Sequence, residues 1–211
     1  MYNMKTFVKA IIAGIAISMG GIIYLTLDNH MVGAFLFSVG LFTIYAFDFS
    51  LYTGKICYIV YKKPSYLITV LIVYIGNFIG AVGTGYILGY TKLARLTPHT
   101  AEIVSGKLSD TPFSTFIMSA MCGIMVCISV TGYLTIKDSI GKYMALTLPI
   151  MVFILSGYEH SIADMFYFTM ARAWSGKAFL YLIIISLGNL AGGILIPLAK
   201  KCFKEELPGF Q

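Results

Sequence analysis

Glutamate and histidine stand side by side in Gly157-Tyr158-Glu159-His160-Ser161, inside a run from Tyr143 to Phe168 that is otherwise apolar enough to cross a bilayer. An ionisable side chain in the hydrocarbon costs roughly 2.5–3.5 kcal/mol on insertion scales, so such groups face a bundle interior or a water-filled path. Flanked by Gly and Ser, this pair predicts a helix break lining a conduction route. An imidazole, ordinarily titrating near about 6.5, can donate or accept a proton as a weak acid passes. The competing role for His160 is packing, with its ring bonded to a backbone carbonyl. Thr53 lies in a second polar interruption, Asp48-Phe49-Ser50-Leu51-Tyr52-Thr53-Gly54-Lys55. Its hydroxyl both donates and accepts, so it can orient an anion or the protonated acid and bond the His160 ring, or else satisfy loop backbone. Lys55 and Asp164 follow the two interruptions. A lone charge at that depth is costly, so the two are expected to pair with each other, with snorkelling of Lys55 to an interface as the alternative.

Other chemistries find little support. Ser156-Gly157 near His160 evokes an intramembrane serine protease, but Ile154 occupies the position two before the serine where glycine is usual, and no second histidine lies in a span. His30, His99 and His160 fall in three separate segments, which argues against metal ligation. No phosphate-binding or dinucleotide glycine pattern occurs. No metal and no cofactor is expected.

The elements that must position these residues are membrane helices. Of 211 residues 58% are hydrophobic and 11% charged, with mean hydropathy +0.85, whereas charged residues approach about a quarter of a soluble domain. Six spans are predicted, at about Lys5–Leu27, Met31–Tyr61, Tyr66–Tyr90, Pro112–Ile136, Tyr143–Ala171 and Lys177–Lys200. The first could pass for a signal peptide, but its apolar stretch nears a full span and more spans follow, so an uncleaved helix is expected. The longest polar stretch is the Tyr90–Thr111 loop, which leaves no room for a soluble domain. Cys57, Cys122, Cys127 and Cys202 show no C-x-x-C, and three lie in apolar runs as small buried hydrophobes. The net charge of +6 reads as topology and not as nucleic-acid binding, because the basic residues sit at span ends.

The second and fifth runs are long for one straight helix, and each carries a glycine-bearing polar interruption. Irregular backbone at membrane depth survives only within protein or beside a water cavity, so both are read as broken helices. Gly76-Asn77-Phe78-Ile79-Gly80 in the third span echoes Gly188-Asn189-Leu190-Ala191-Gly192 in the sixth. Three spans per half is an odd number, which predicts an inverted 3+3 repeat, one half over about 5–90 and the other over about 112–200, within a single transmembrane channel domain covering 1–211. With both termini on one side, that side collects Lys5, Lys9, Lys62, Lys63, Lys137, Lys142, Lys200, Lys201 and Lys204. The other holds Lys92, Arg95, Lys107, Arg172 and Lys177. Nine against five predicts cytoplasmic termini in a cytoplasmic membrane.

Gly157-Tyr158-Glu159-His160-Ser161-Ile162-Ala163-Asp164-Met165 closely resembles the G-F-E-H-S-[VI]-A-N-M signature of the formate/nitrite transporter family. Leu51-Tyr52-Thr53-Gly54 is similar to its L-F-T-G loop. Lys142, Pro149 and Phe153 fall at the family's spacing before the histidine, and Gly188-Asn189 with Gly192-Gly193 resembles its last-span G-N-x-x-G-G. The resemblance runs from about Phe7 to Leu198. It implies an all-α, aquaporin-like fold of six helices, a homopentamer with a pore in each protomer, and passage of small monovalent anions or their conjugate acids such as formate, nitrite or hydrosulfide. It implies no enzymatic activity. By resemblance Leu51, Tyr52 and Val126 form the outer constriction, Leu41 and Phe153 with Phe37 the inner one, and Thr53, His160 and Lys107 carry the chemistry. Glu159, Ser161, Asn77, Asn189, Lys55 and Asp164 support them. Without the resemblance, Lys107 is an ordinary solvated loop lysine; with it, Lys107 attracts anions near the mouth. Tyr52 stands where the family has Phe, adding a hydroxyl to the outer constriction. Ser50 stands where it has Glu, Lys55 and Asp164 where it usually has Asn, and Gly123 where an Asn lies near the histidine. The expected partners are small anions, protons and the bilayer. Two other readings are an aquaporin-like channel for small neutral solutes and, remotely, an intramembrane enzyme using Glu159 and His160.

Overall fold

The computed structural model describes residues 2–205. These residues form nine α-helices: α1 (Tyr2–Thr26), α2 (His30–Ala46), α3 (Tyr52–Ile56), α4 (Tyr66–Leu88), α5 (Thr97–Ser109), α6 (Pro112–Thr135), α7 (Ser139–Leu155), α8 (Ser161–Met170) and α9 (Gly176–Cys202). Four of them, α1, α4, α6 and α9, are long and apolar enough to cross a bilayer singly. The others that complete the apolar segments come in broken pairs, α2 with α3 and α7 with α8, where the interruptions were expected.

Side-chain caps set the helix starts. Asn29 Oδ1 accepts the Met31 and Val32 amides at 3.1 Å to open α2, Thr111 Oγ1 accepts the Ser114 amide ahead of Pro112, and Ser175 Oγ accepts the Ala178 amide to open α9. The fifth run begins earlier than predicted, at Ser139, because Asp138 caps it through the Gly141 amide. Sequence reading missed α5, which occupies the supposed polar loop; Thr97-Pro98 is a helix-start signal that was there to be read.

The chain builds the same unit twice. α1 packs on α2 and α4, α6 packs on α7 and α9, and the two units meet where α2 touches α7 and α4 touches α8. Within each unit a glycine lets two backbones meet. A Cβ on Gly80 would lie 2.0 Å from the Ile11 carbonyl oxygen, and one on Gly192 would lie 1.8 Å from that of Ala120. Helices held this close are the small-residue packing that stands in for the hydrophobic effect in lipid. Cys57, Cys122 and Cys127 are buried and Cys202 is exposed.

Two helix breaks that meet at Thr53 and His160

Both breaks end and restart in the same way. Asp48 (φ 54°) and Gly157 (φ 67°) take the left-handed conformation that stops a helix. The next amide reaches back five residues, Phe49 N–H to the Ile44 carbonyl at 2.8 Å and Tyr158 N–H to the Phe153 carbonyl at 3.0 Å. Extended residues follow, and the second half-helix begins. The first break is thus shorter than the predicted Asp48–Lys55, because the chain is already helical again at Tyr52.

Asn77 and Asn189 clamp the two breaks. Asn77 Oδ1 accepts the Tyr52 amide at 2.8 Å, and its Nδ2 donates to the Ser50 and Ala10 carbonyls at 2.9 and 2.7 Å. Asn189 repeats the pattern on the Ser161 amide and the Glu159 and Ser119 carbonyls, at 2.9, 2.8 and 2.9 Å. Both asparagines are fully buried, so each satisfies one amide and one carbonyl that would otherwise be stranded at the interruption. The sequence offered these asparagines as a repeated motif and, by resemblance, as supporting residues; that they clamp the breaks was not visible in it.

The clamps bring Thr53, from α3, to the ring of His160. Thr53 Oγ1 and His160 Nε2 are 3.0 Å apart and both side chains are buried. His160 also caps α8, its Nδ1 accepting the Ala163 amide at 3.2 Å. An accepting Nδ1 carries no proton, so the ring that fits both bonds is the neutral Nε2–H form, donating to Thr53. The Thr53 hydroxyl hydrogen is then available to a solute. Phe153 stacks on the His160 ring, with centroids 5.6 Å apart and planes 19° apart, and Phe37 meets Phe153 edge-on at 5.9 Å.

Glu159 and His160, adjacent in sequence, serve different partners. The Glu159 carboxylate pairs with Lys107, and Asp164 Oδ1 lies 3.0 Å from the same ammonium. The three side chains are 10%, 1% and 16% exposed for Glu159, Asp164 and Lys107 respectively. Lys107 is therefore no solvated loop lysine: it sits near the end of α5, folded inward between two carboxylates. This overturns the expected Lys55–Asp164 pair. Asp164 belongs to the Lys107 side, and Lys55 lies on the other side of the breaks, so the two charges never share a depth.

Cavities open on both sides. Near the C-terminal end of α1 a cavity of about 190 Å³ is lined by Tyr24, His30, His99, Lys107, Ile154 and Tyr158 among others. His30 and His99 also border a larger one of about 440 Å³ with Asp28 and Arg95. On the opposite side a cavity of about 140 Å³ is lined by Tyr45, Asp48, Leu51, Gly54, Lys55 and Leu134, among others, and Asp48 pairs there with Lys9 near the N-terminal end of α1. The formate/nitrite transporter family profile matches residues 1–200. The chain belongs to that family.

It is a multi-pass membrane protein. It is 27% identical to the formate-nitrite transporter of Plasmodium falciparum (isolate 3D7), over 92% of this chain and 75% of that one. With the formate channel FocA of Escherichia coli (strain K12) it shares 28% identity over 80% of this chain and 67% of that one. A solved pentameric formate channel with formate bound superposes with a TM-score of 0.81 at 25% identity, covering 96% of this chain and 98% of that one.

Two expectations about the constrictions of this transporter need correction. Tyr52 and its clamp lie level with Ala10 on α1, whereas Phe37 packs against Gly20, about 15 Å further along the helix at 1.5 Å per residue. Leu51 and Tyr52 thus lie toward the N-terminal end of α1 and Phe37 and Phe153 toward its C-terminal end, so the expected cytoplasmic termini and the expected outer place of Leu51 and Tyr52 exclude each other. Val126 and Leu41 are both buried. Nor does the Tyr52 hydroxyl serve the pore: it donates to the Ser186 carbonyl at 3.0 Å while Tyr74 packs edge-on against its ring at 4.9 Å. Tyr52→Phe is accordingly expected to lower stability by about 0.5–1.5 kcal/mol and to leave the ratio of formate to hydrosulfide flux unchanged. Thermal unfolding in detergent and paired flux assays check this, and an altered solute ratio would return the hydroxyl to the pore.

Proposed function

We propose that this chain is a channel-like transporter that passes small monovalent anions, or their conjugate weak acids, through a pore in each protomer of a homopentamer. Formate, nitrite and hydrosulfide are the substrate class. The observation that carries this is the Thr53–His160 bond, which joins two helix breaks from opposite halves between two cavities. The pentameric, formate-bound neighbour supports the assembly and the substrate. We read residues 1–211 as one domain, with repeats of about 5–90 and 112–200 in opposite orientations; the matched clamps at Asn77 and Asn189 support that reading. Cytoplasmic termini are supported by the nine-to-five charge count, to which Lys55, on the Lys9 side, adds a tenth.

The chemistry follows from desolvation. A bare anion loses its hydration at the apolar Leu51 and Phe153 narrowings, whereas its neutral acid loses far less. Between them Thr53 offers a hydroxyl proton and His160 an oriented ring. The solute crosses hydrogen-bonded to that pair, protonated or taking up a proton as the dielectric falls. Glu159 and His160 do not form an acid–base dyad, since their side chains are engaged by Lys107 and Thr53, which speaks against intramembrane catalysis.

His160→Asn retains an acceptor for the Ala163 amide and so keeps the α8 cap, while His160→Phe keeps ring volume. Both are expected to leave a pentamer whose formate flux in proteoliposomes falls at least about tenfold, because neither keeps the ring nitrogen that orients the Thr53 hydroxyl. Wild-type flux between pH 5 and 8 in both variants would reduce His160 to a packing residue, and glycerol flux without formate flux in the wild type would favour a neutral-solute channel.

A further inference from the structure

Lys107 and Lys55, each bordering a cavity beside one of the breaks, are in opposite states. Lys107 is held between Glu159 and Asp164, so its single positive charge is at least matched by carboxylate. Lys55 has no ion-pair partner among the described residues, and it lines the cavity that also contacts Leu51 and Gly54. The nearest acid in that wall, Asp48, is taken by Lys9. α3 runs only from Tyr52 to Ile56. Two residues at about 100° each separate Thr53 from Lys55, so the helix that aims Thr53 at His160 aims Lys55 away from it. The Tyr45 hydroxyl reaches the same wall, since it lies 2.4 Å from where a Cβ on Gly54 would be, a position only glycine leaves open.

The clamps make the contrast structural. Tyr52 and Ser161 are the equivalent clamped residues, so Lys55 and Asp164 are each the fourth residue of the half-helix that follows a break. At matching places in the two halves the chain carries an unpaired cation on one side and an extra anion on the other.

We infer that Lys55 forms an anion-holding subsite at the mouth on the Lys9 side, with a small monovalent carboxylate or nitrite as its ligand. The ammonium offers three donors, the Tyr45 hydroxyl a fourth, and a cavity of about 140 Å³ holds one such ion with a few waters at about 30 Å³ each. The anion waits there, against Leu51, before crossing toward Thr53 and His160. The opposite mouth, its lysine already matched by carboxylates, holds anions more weakly, so capture is asymmetric across the membrane. The subsite rests on the transport reading for its purpose, not for its existence.

Two readouts on the full chain test it separately. In detergent, formate is expected to slow acylation of Lys55 by a small amine reagent, followed by peptide mass spectrometry, relative to gluconate at equal ionic strength. In right-side-out and inverted vesicles, Lys55→Gln should raise the half-saturating formate concentration about fivefold or more from the Lys9 face alone, and Lys55→Arg should stay within about twofold of the wild type. Absence of protection, or a shift equal on both faces, overturns the subsite. Protection without any wild-type flux supports the subsite and removes the transport reading instead.

Discussion

Lys107→Met is expected to cost about 3–5 kcal/mol and to deplete the folded protein, because it leaves Glu159 and Asp164 buried without their cation. Both carboxylates reach the same ammonium, and Asp164 is 1% exposed, so neither can turn to water to recover the loss. The ammonium spans two elements that are otherwise connected only by packing, α5 and the start of α8. Its removal should therefore loosen the second break as well as the mouth. Combining Lys107→Met with Asp164→Asn and Glu159→Gln removes the stranded charges and should recover most of the stability, a non-additivity that a mutant cycle reads directly. Thermal unfolding in detergent and the yield of pentamer are the measurements. A loss below about 1 kcal/mol for Lys107→Met would mean that water reaches the carboxylates, and the cluster would then be an exposed surface network.

Asn189→Leu should be comparably damaging. It strands the Ser161 amide and the Glu159 carbonyl in a fully buried place, at about 1–3 kcal/mol for each group left unsatisfied, and it adds branched bulk where α9 meets α6. Asn189→Asp keeps the acceptor for Ser161 and, as the protonated acid, one donor toward the Glu159 and Ser119 carbonyls, so it should be the milder change. In either variant the restart of α8 moves, and His160 should lose its register with Thr53; formate flux ought to fall even in the fraction that folds. If Asn189→Leu unfolds at the wild-type temperature, the break is held by something other than the clamp.

Much of this was legible in the chain. The breaks announced themselves as glycine-bearing polar interruptions in runs too long for one helix, and the Thr53–His160 contact followed from needing a partner across them. What could not be read was depth. Lys55, Lys107, Glu159 and Asp164 are four charges in three segments, and economy alone favoured pairing the two that follow the breaks. The correct partner arrives on α5, from a stretch read as loop, 52 residues from Glu159. The clamps were visible as paired G-N motifs, but a motif that permits close packing and one that satisfies an interrupted backbone look the same in sequence. Tyr52 misled for a related reason: its type was read correctly, and the direction of its hydroxyl is set by the carbonyl of Ser186, 134 residues away.

The double clamp also bears on speed. Carriers that work by alternating access move whole helices each cycle, and such motions occupy microseconds to milliseconds. Here each bend is pinned by two hydrogen bonds from an asparagine on a neighbouring straight helix, which a third bond ties to the next helix, so rocking either half-helix would break buried bonds on every turnover. Such pinning suits a fixed aperture rather than a rocking carrier, and on the proposed function throughput is then set by how readily a solute sheds and regains water at its narrow places.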